Sequence, residues 1–270
     1  MDQQGVFVRD DRFDRSAVKA AIDRDGYAVI RDLIPIERIE SIKTHWLKRF
    51  QETTPDGRVT WTVYYGQKSP VGFSSDAFQY LYRAIDILWN PPLHEETREV
   101  GLRMSALRNL AIDQAPEFGT RFTDALGVCP SVSYYPPEKG MMQKHVDGGT
   151  GKLMLVHILA PLTFRGTDYQ GGGLRMWDRH GNVVDVDGVL KPGDAVIYDG
   201  SLEHEVLPII PMPGKNIGRM QMFPLPLAFR TLEKDVRGLG AIPFVKYLYA
   251  KYAVTKNALL IALGKKGTLR

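Results

Sequence analysis

Residues 192–209 read Pro-Gly-Asp-Ala-Val-Ile-Tyr-Asp-Gly-Ser-Leu-Glu-His-Glu-Val-Leu-Pro-Ile. They hold two short runs, Ala195–Tyr198 and His204–Ile209, of the apolar, β-branched and aromatic character that suits strands. Lys191-Pro192-Gly193 in front of the first run supplies turn chemistry. Outward from this pair the same texture continues. Upstream it gives strands at Ser131–Tyr135, Met141–Val146, Leu153–Leu159, Gly173–Trp177 and Val183–Val186, and downstream at Gly218–Phe223. Breakers fall between them at Pro136-Pro137, Gly148-Gly149, Gly171-Gly172, His180-Gly181-Asn182 and 211–214. Eight short strands with turns at this spacing predict an antiparallel sandwich or barrel and not alternating βαβ units.

The amino-terminal part reads differently. A short helix is expected over Ser16–Asp23 and a strand over Tyr27–Arg31. Pro35 then opens a helix over Ile36–Gln51, where Ile36, Ile39, Ile42, Trp46 and Phe50 recur at helical spacing. Ser75 is a plausible cap for a helix over Asp76–Trp89, stopped by Asn90-Pro91-Pro92, and a further helix is expected from Leu93 to Ile112. Trp61–Tyr65 reads as a strand. The expectation is one domain of 270 residues, with a helical and mixed flank over 1–128, a mainly β core over 129–227 and a basic helical tail over 228–270.

Composition narrows the class. At 44% hydrophobic and 24% charged residues the chain is neither disordered nor fibrous. One cysteine, Cys129, forms no internal disulfide, and the polar, acidic opening does not read as a secretory leader, so a cytoplasmic setting is the expectation. The run Ala258–Leu263 is far short of the roughly 20 residues that cross a bilayer. From Arg230 onward nine basic residues face only Glu233 and Asp235, so the rest of the chain is mildly acidic although the whole carries +4. Phe244, Leu248, Tyr252, Leu259 and Leu263 lie beside this basic set. The tail therefore reads as a helix packed on the core, as a dimer contact, or as a peripheral membrane contact. No basic stripe borders the strands, which disfavours nucleic acid as a partner. Oligomeric state leaves no signal in the sequence.

Chemistry concentrates at Gln143-Lys144-His145-Val146-Asp147-Gly148. In an extended chain residues i and i+2 share a face, so His145 and Asp147 present an imidazole and a carboxylate together. His204, opening the later strand, supplies a third donor. Two imidazoles and a carboxylate leave open positions on a non-haem Fe(II) ion. Arg219 stands in the apolar strand Gly218-Arg219-Met220-Gln221-Met222-Phe223, where a cation requires an anionic partner: a bound ligand or an internal aspartate.

The order HxD, then Gly171-Gly172-Gly173-Leu174, then residues 192–209, then an arginine strand, resembles the Fe(II)/2-oxoglutarate-dependent dioxygenase superfamily over Ser131–Leu227. Gln170–Val206 is most similar to its prolyl-hydroxylase-like branch, and Ile22–Lys43 to its phytanoyl-dioxygenase-like branch. The resemblance implies a double-stranded β-helix (jelly-roll, cupin-like) with amino-terminal helices, and Fe(II) on His145, Asp147 and His204. It also implies 2-oxoglutarate and O2 as cosubstrates, with Arg219 on the distal carboxylate of 2-oxoglutarate. Relatives often place serine or threonine two residues after that arginine; this chain has Gln221, so Tyr134 is the candidate helper. The implied reaction oxidises a C–H bond and releases succinate and carbon dioxide; the carboxylate of Asp147 favours hydroxylation over halogenation, and desaturation, epoxidation and cyclisation stay open. A small-molecule substrate is preferred. A protein or lipid-linked substrate is the alternative, and a non-oxidative metal-binding cupin is the rival outside enzymes.

Weaker candidates remain. Arg175 and Trp177 share one face of their strand, either toward a substrate or outward into solvent. His157 in its apolar strand is either a core histidine or a neighbour of the cofactor site. Trp61, Tyr64 and Tyr65 line a pocket or pack the core. His45, His94 and His180 read as surface residues.

Overall fold

The computed structural model describes residues 7–9, 13–53, 63–64, 68–120, 126–147 and 156–230. In chain order its elements are β1 (Phe7–Arg9), α1 (Arg15–Asp25), β2 (Tyr27–Arg31), α2 (Ile36–Gln51), β3 (Val63–Tyr64), β4 (Val71–Ser75), β5 (Gln79–Ile85) and α3 (Glu95–Ala111). Then follow β6 (Leu126–Cys129), β7 (Ser131–Tyr135), β8 (Met141–His145), β9 (Val156–Pro161), β10 (Tyr169–Trp177), β11 (Val183–Asp185) and α4 (Val186–Val189). The last elements are β12 (Ala195–Asp199), β13 (His204–Pro211), β14 (Arg219–Met222) and β15 (Leu225–Arg230). Trp61, Tyr65, Gly148-Gly149, Leu153 and the tail stripe from Phe244 lie outside the described residues.

One long sheet carries the fold, in the order β1-β2-β12-β9-β14-β7-β5-β8-β13-β10-β11, with β4 paired to β5. Strands β7 to β14 are the eight expected from the sequence. They form two walls, β12-β9-β14-β7 and β8-β13-β10-β11, which is a double-stranded β-helix. A smaller sheet, β3-β15-β6, lies beside them. Strand alternation sorts the core. Ile158, Ala160, Ile197, Met220 and Met222 pack with the helices in one apolar cluster, while Leu159, Val196, Tyr198, Leu174 and Met176 share a second cluster with other inward-facing strand residues.

The helices cover the first wall. Ile39, Ile42, Trp46 and Phe50 of α2 are buried at three- and four-residue intervals, each burial contributing about 1.5–3 kcal/mol. Ile36, expected in the same stripe, is exposed at the first turn. Asp14 caps α1 by accepting from the Ala17 N–H, and Gly26 ends it at φ 88°, a conformation glycine adopts without strain.

One element differs in kind from expectation. Residues 76–89 are not a helix: β4 and β5 form an antiparallel hairpin pairing Ser75 with Tyr80 and Val71 with Ala84. Asp76 accepts from the N–H groups of Phe78 and Gln79, closing a tight turn where a helix cap was expected. Tyr80 and Tyr82 alternate with Leu81 and Arg83, which is the strand period. This hairpin is inserted between β7 and β8 and joins the two walls of the barrel on that side.

Candidate active site

His145 closes β8 and His204 opens β13, and the two are directly opposed across the antiparallel pair, their ring centroids 4.2 Å apart. Asp147 follows β8; its N–H donates to Gly200 O at 2.7 Å, which ties it to the turn between β12 and β13. Donor atoms of His145, Asp147 and His204 thus lie within 4.8 Å of one another. The two rings are oriented alike. His145 Nδ1–H donates to Gln143 O at 2.7 Å and His204 Nδ1–H to Leu202 O at 2.8 Å. That leaves each Nε2 as the lone-pair nitrogen facing the carboxylate, 3.6 and 3.4 Å from its oxygens. Two preset imidazoles and one carboxylate fit a divalent ion of the Fe(II) class.

His157, from β9, is buried beside this cluster with Nε2 3.0 Å from Asp147 Oδ2. Burial alone would push the Asp147 carboxyl up, but the His157 and His204 rings beside it outweigh that and hold the carboxyl well below the usual range. Burial, with His204 nearby, pushes the His145 imidazole down and favours its neutral form. Gly200 is fixed by the same crowding: a Cβ there would run into the His157 ring and come within 2.9 Å of Asp147 Oδ2.

A cavity of about 370 Å³ opens onto the three residues. Its wall is mostly apolar, including Phe78, Met142, Leu159, Leu174 and Phe223, with Gln79, Arg83, Tyr135, Tyr198 and Gln221 as the polar members. Arg83 is 3% exposed. Its Nε–H donates to Ser133 Oγ at 3.0 Å, and the guanidinium bonds to the Tyr135 side chain. Burial pushes its pKa below the ordinary arginine value, while Tyr135 and Asp147 pull the other way.

The remaining candidates fall in different places. Arg219 is buried but does not line the cavity. Its Nε and Nη2 donate to the two oxygens of Asp187 at 2.6 and 2.9 Å, and Nη1 donates to Gln221 Oε1. The internal aspartate, one of the two partners the sequence allows, is therefore present. Tyr134 does not face the cavity either. Alternation along β7 turns it toward Phe50 and Tyr82, and its hydroxyl accepts from the Gly218 N–H, so the tyrosine in the cavity wall is Tyr135. Arg175 and Trp177 lie outside the cavity lining, because Leu174 and Met176 take the buried face of β10. Arg175 pairs with Glu205, and Lys144 covers the Trp177 ring at 4.0 Å. His45 and His94 stack on each other at 4.0 Å, away from the cluster, and His180 lies near Asp25.

Arg83, Gln79 and Phe78 escape sequence reasoning because their segment carries a helix-like cap and stop. The period-two alternation of Gln79, Leu81, Arg83 and Ile85 was the signal that could have found them.

No family model matches the sequence, and no curated protein matches it. Solved structures do match. A Pseudomonas putida prolyl-4-hydroxylase is 18% identical with a TM-score of 0.55, over 80% of this chain and 100% of that one. A dioxygenase for auxin oxidation from Arabidopsis thaliana, in binary complex with 2-oxoglutarate, is 12% identical with a TM-score of 0.52, over 83% of this chain and 92% of that one. A Trichoplax adhaerens prolyl hydroxylase, in complex with a hypoxia inducible factor peptide fragment, is 14% identical with a TM-score of 0.51, over 84% and 93%. At these identities the likeness is one of fold. The chain has the double-stranded β-helix of these oxygenases, and in it a His-x-Asp…His cluster opens onto a cavity.

Proposed function

We propose that this chain is an Fe(II)- and 2-oxoglutarate-dependent oxygenase that hydroxylates an unactivated C–H bond of a small molecule, releasing succinate and carbon dioxide. The observation that carries the reading is the convergence of His145 Nε2, His204 Nε2 and the Asp147 carboxylate at the wall of the cavity. An ion held there by three protein donors keeps positions for exogenous ligands, and when bound it supplies the activation of O2 that no side chain provides. The protein's own part is to aim the two imidazoles through their Nδ1–H bonds to backbone carbonyls, to keep Asp147 ionised, and to line the rest of the site with apolar walls. The fold shared with solved 2-oxoglutarate-binding and prolyl-hydroxylating enzymes supports the cosubstrate assignment.

Size and lining support a small substrate. About 370 Å³ is at the lower end of the roughly 300–1,000 Å³ typical of ligand pockets, and the walls suit an apolar group at the reacting carbon. The test is release of succinate from 2-oxoglutarate with Fe(II) and ascorbate, run against amino acids, peptides, acyl thioesters and saccharide lipids. Wild type should release succinate even without a substrate, and alanine at His145, Asp147 or His204 should abolish that release without loss of the fold. Full turnover in Asp147→Ala would overturn the assignment.

A further inference from the structure

Two arginines stand on the inner faces of the barrel strands, Arg83 on β5 and Arg219 on β14, and they differ in what surrounds them. Arg219 meets Asp187 along one full edge of its guanidinium, and Gln221 takes a hydrogen from Nη1. Asp187 is engaged in turn by the Tyr169 hydroxyl at 2.7 Å and the Leu174 N–H at 2.9 Å. Gly173 makes this possible, since a Cβ there would strike the Asp187 carboxylate. An incoming carboxylate would have to displace Gln221 to reach a guanidinium whose charge is already balanced inside the protein.

Arg83 lines the same cavity as the three metal-binding candidates, and Asp147 is among the charges that act on it. It is the one lysine or arginine among the described residues lining that cavity. Ser133 holds its Nε, and Ser133 in turn lies opposite Gln221 in the β7–β14 register, so the guanidinium is braced at the middle of the barrel wall. Tyr135 touches both arginines: it hydrogen-bonds Arg83, and the Arg219 guanidinium carbon lies 5.6 Å from its ring centroid. A planar, braced guanidinium is the group best suited to take a carboxylate with two parallel bonds.

We propose that Arg83 binds the distal carboxylate of the 2-oxo acid cosubstrate, and that Arg219 with Asp187 is a structural ion pair. This rests on the oxygenase reading above and departs from the role that the family resemblance gives Arg219. The 2-oxo acid would then lie between the metal cluster and the β4–β5 hairpin, with the apolar wall left to the substrate.

The test is anaerobic titration of the Fe(II)-loaded full chain with 2-oxoglutarate and with 2-oxobutyrate, which lacks the distal carboxylate. The readout is the visible charge-transfer absorption of a chelated 2-oxo acid. Wild type should prefer 2-oxoglutarate by roughly 10- to 100-fold, the range of a charged hydrogen-bonded contact. In Arg83→Gln that preference should collapse, in Arg83→Lys it should fall part of the way, and in Arg219→Lys it should persist. Thermal melting shows which variants fold, and Arg83→Lys carries the test if Arg83→Gln does not. A preference that survives both Arg83 substitutions, or that falls as far or further in Arg219→Lys, overturns the proposal. Fe(II) binding with no chelate absorption from either acid in wild type overturns the cosubstrate reading itself, and this proposal with it.

Discussion

The Nε2 atom of His157 lies 3.0 Å from Oδ2 of Asp147, on a side chain only 3% exposed, while Asp147 itself is about one-third exposed. The ring thus backs the carboxylate from the protein interior, close but not aligned as a hydrogen bond, and leaves its other side to the cavity. A group in that position decides where the carboxylate stands when a metal competes for it. His157→Leu should lower Fe(II) affinity by roughly 10- to 100-fold, and His157→Gln, which keeps a donor, should recover much of the loss. Competition of Fe(II) against a chelating dye measures it, and equal affinity in wild type and His157→Leu would deny the ring this role.

Gly200 tests the same crowding from the backbone. Gly200→Ala places a methyl against the His157 ring and 2.9 Å from Asp147 Oδ2, so the ring, and the carboxylate beside it, must give way. The expected outcome is impaired metal binding with secondary structure retained, read by Fe(II) titration beside far-ultraviolet circular dichroism. Unchanged metal affinity would mean that the turn yields at no cost.

Asp187 and Arg219 are 3% and 1% exposed as side chains. Removing one partner strands the other, so Asp187→Asn should cost about 3–5 kcal/mol at neutral pH, whereas Asp187→Leu combined with Arg219→Met should recover much of that. The pair also gives stability an acid limit. Burial pushes the Asp187 carboxyl up, but the Arg219 charge outweighs it and the folded pKa ends below the ordinary one. The stabilisation is therefore fully present above the unfolded carboxylate value of about 3.9 and is lost as pH falls toward the lower folded value. Denaturant melts at pH 7 and pH 3 should show the gap between wild type and Asp187→Asn shrinking at the lower pH.

Cys129 is fully buried, and burial pushes its thiol up to about 12. A neutral buried thiol is a poor nucleophile. Thiol reagents should leave the folded chain unmodified between pH 7 and 9 and react once denaturant unfolds it. Rapid labelling under native conditions would contradict this packing.

The sequence reading locates β2, α2 and β7 residue for residue, because α2 has one clear apolar face, β2 and β7 are short apolar runs buried on both faces, and each has a clean boundary: Gly26 before β2, Pro35 before α2, and Pro130 and Pro136 around β7. The His145, Asp147 and His204 cluster is legible for the same reason, since strand alternation and a fixed turn leave little freedom in where those side chains go. What escapes is what depends on which face of a strand is the inner one. Tyr134 and Tyr135 are adjacent and equally aromatic, and only the packing of Tyr134 on Phe50 decides between them. Arg175 and Trp177 pose the same two-way question. The ion pair of Arg219 depends on Asp187, a residue 32 positions away that local patterning does not connect to it. Residues 76–85 mislead for a local reason, because an aspartate that closes a turn and a serine that caps a helix look alike in sequence.

The place of the β4–β5 hairpin divides the barrel's tasks between separate stretches of chain. The three metal-binding candidates belong to β8, the loop after it and β13, whereas Arg83, Gln79 and Phe78 arrive together on a fifteen-residue excursion from Val71 to Ile85 that lies outside the eight-strand core. Exchanging that excursion would nevertheless reach both at once, since Phe78 meets the His145 ring at 5.1 Å and its carbonyl accepts from the Gln143 N–H, beside the carbonyl that braces His145.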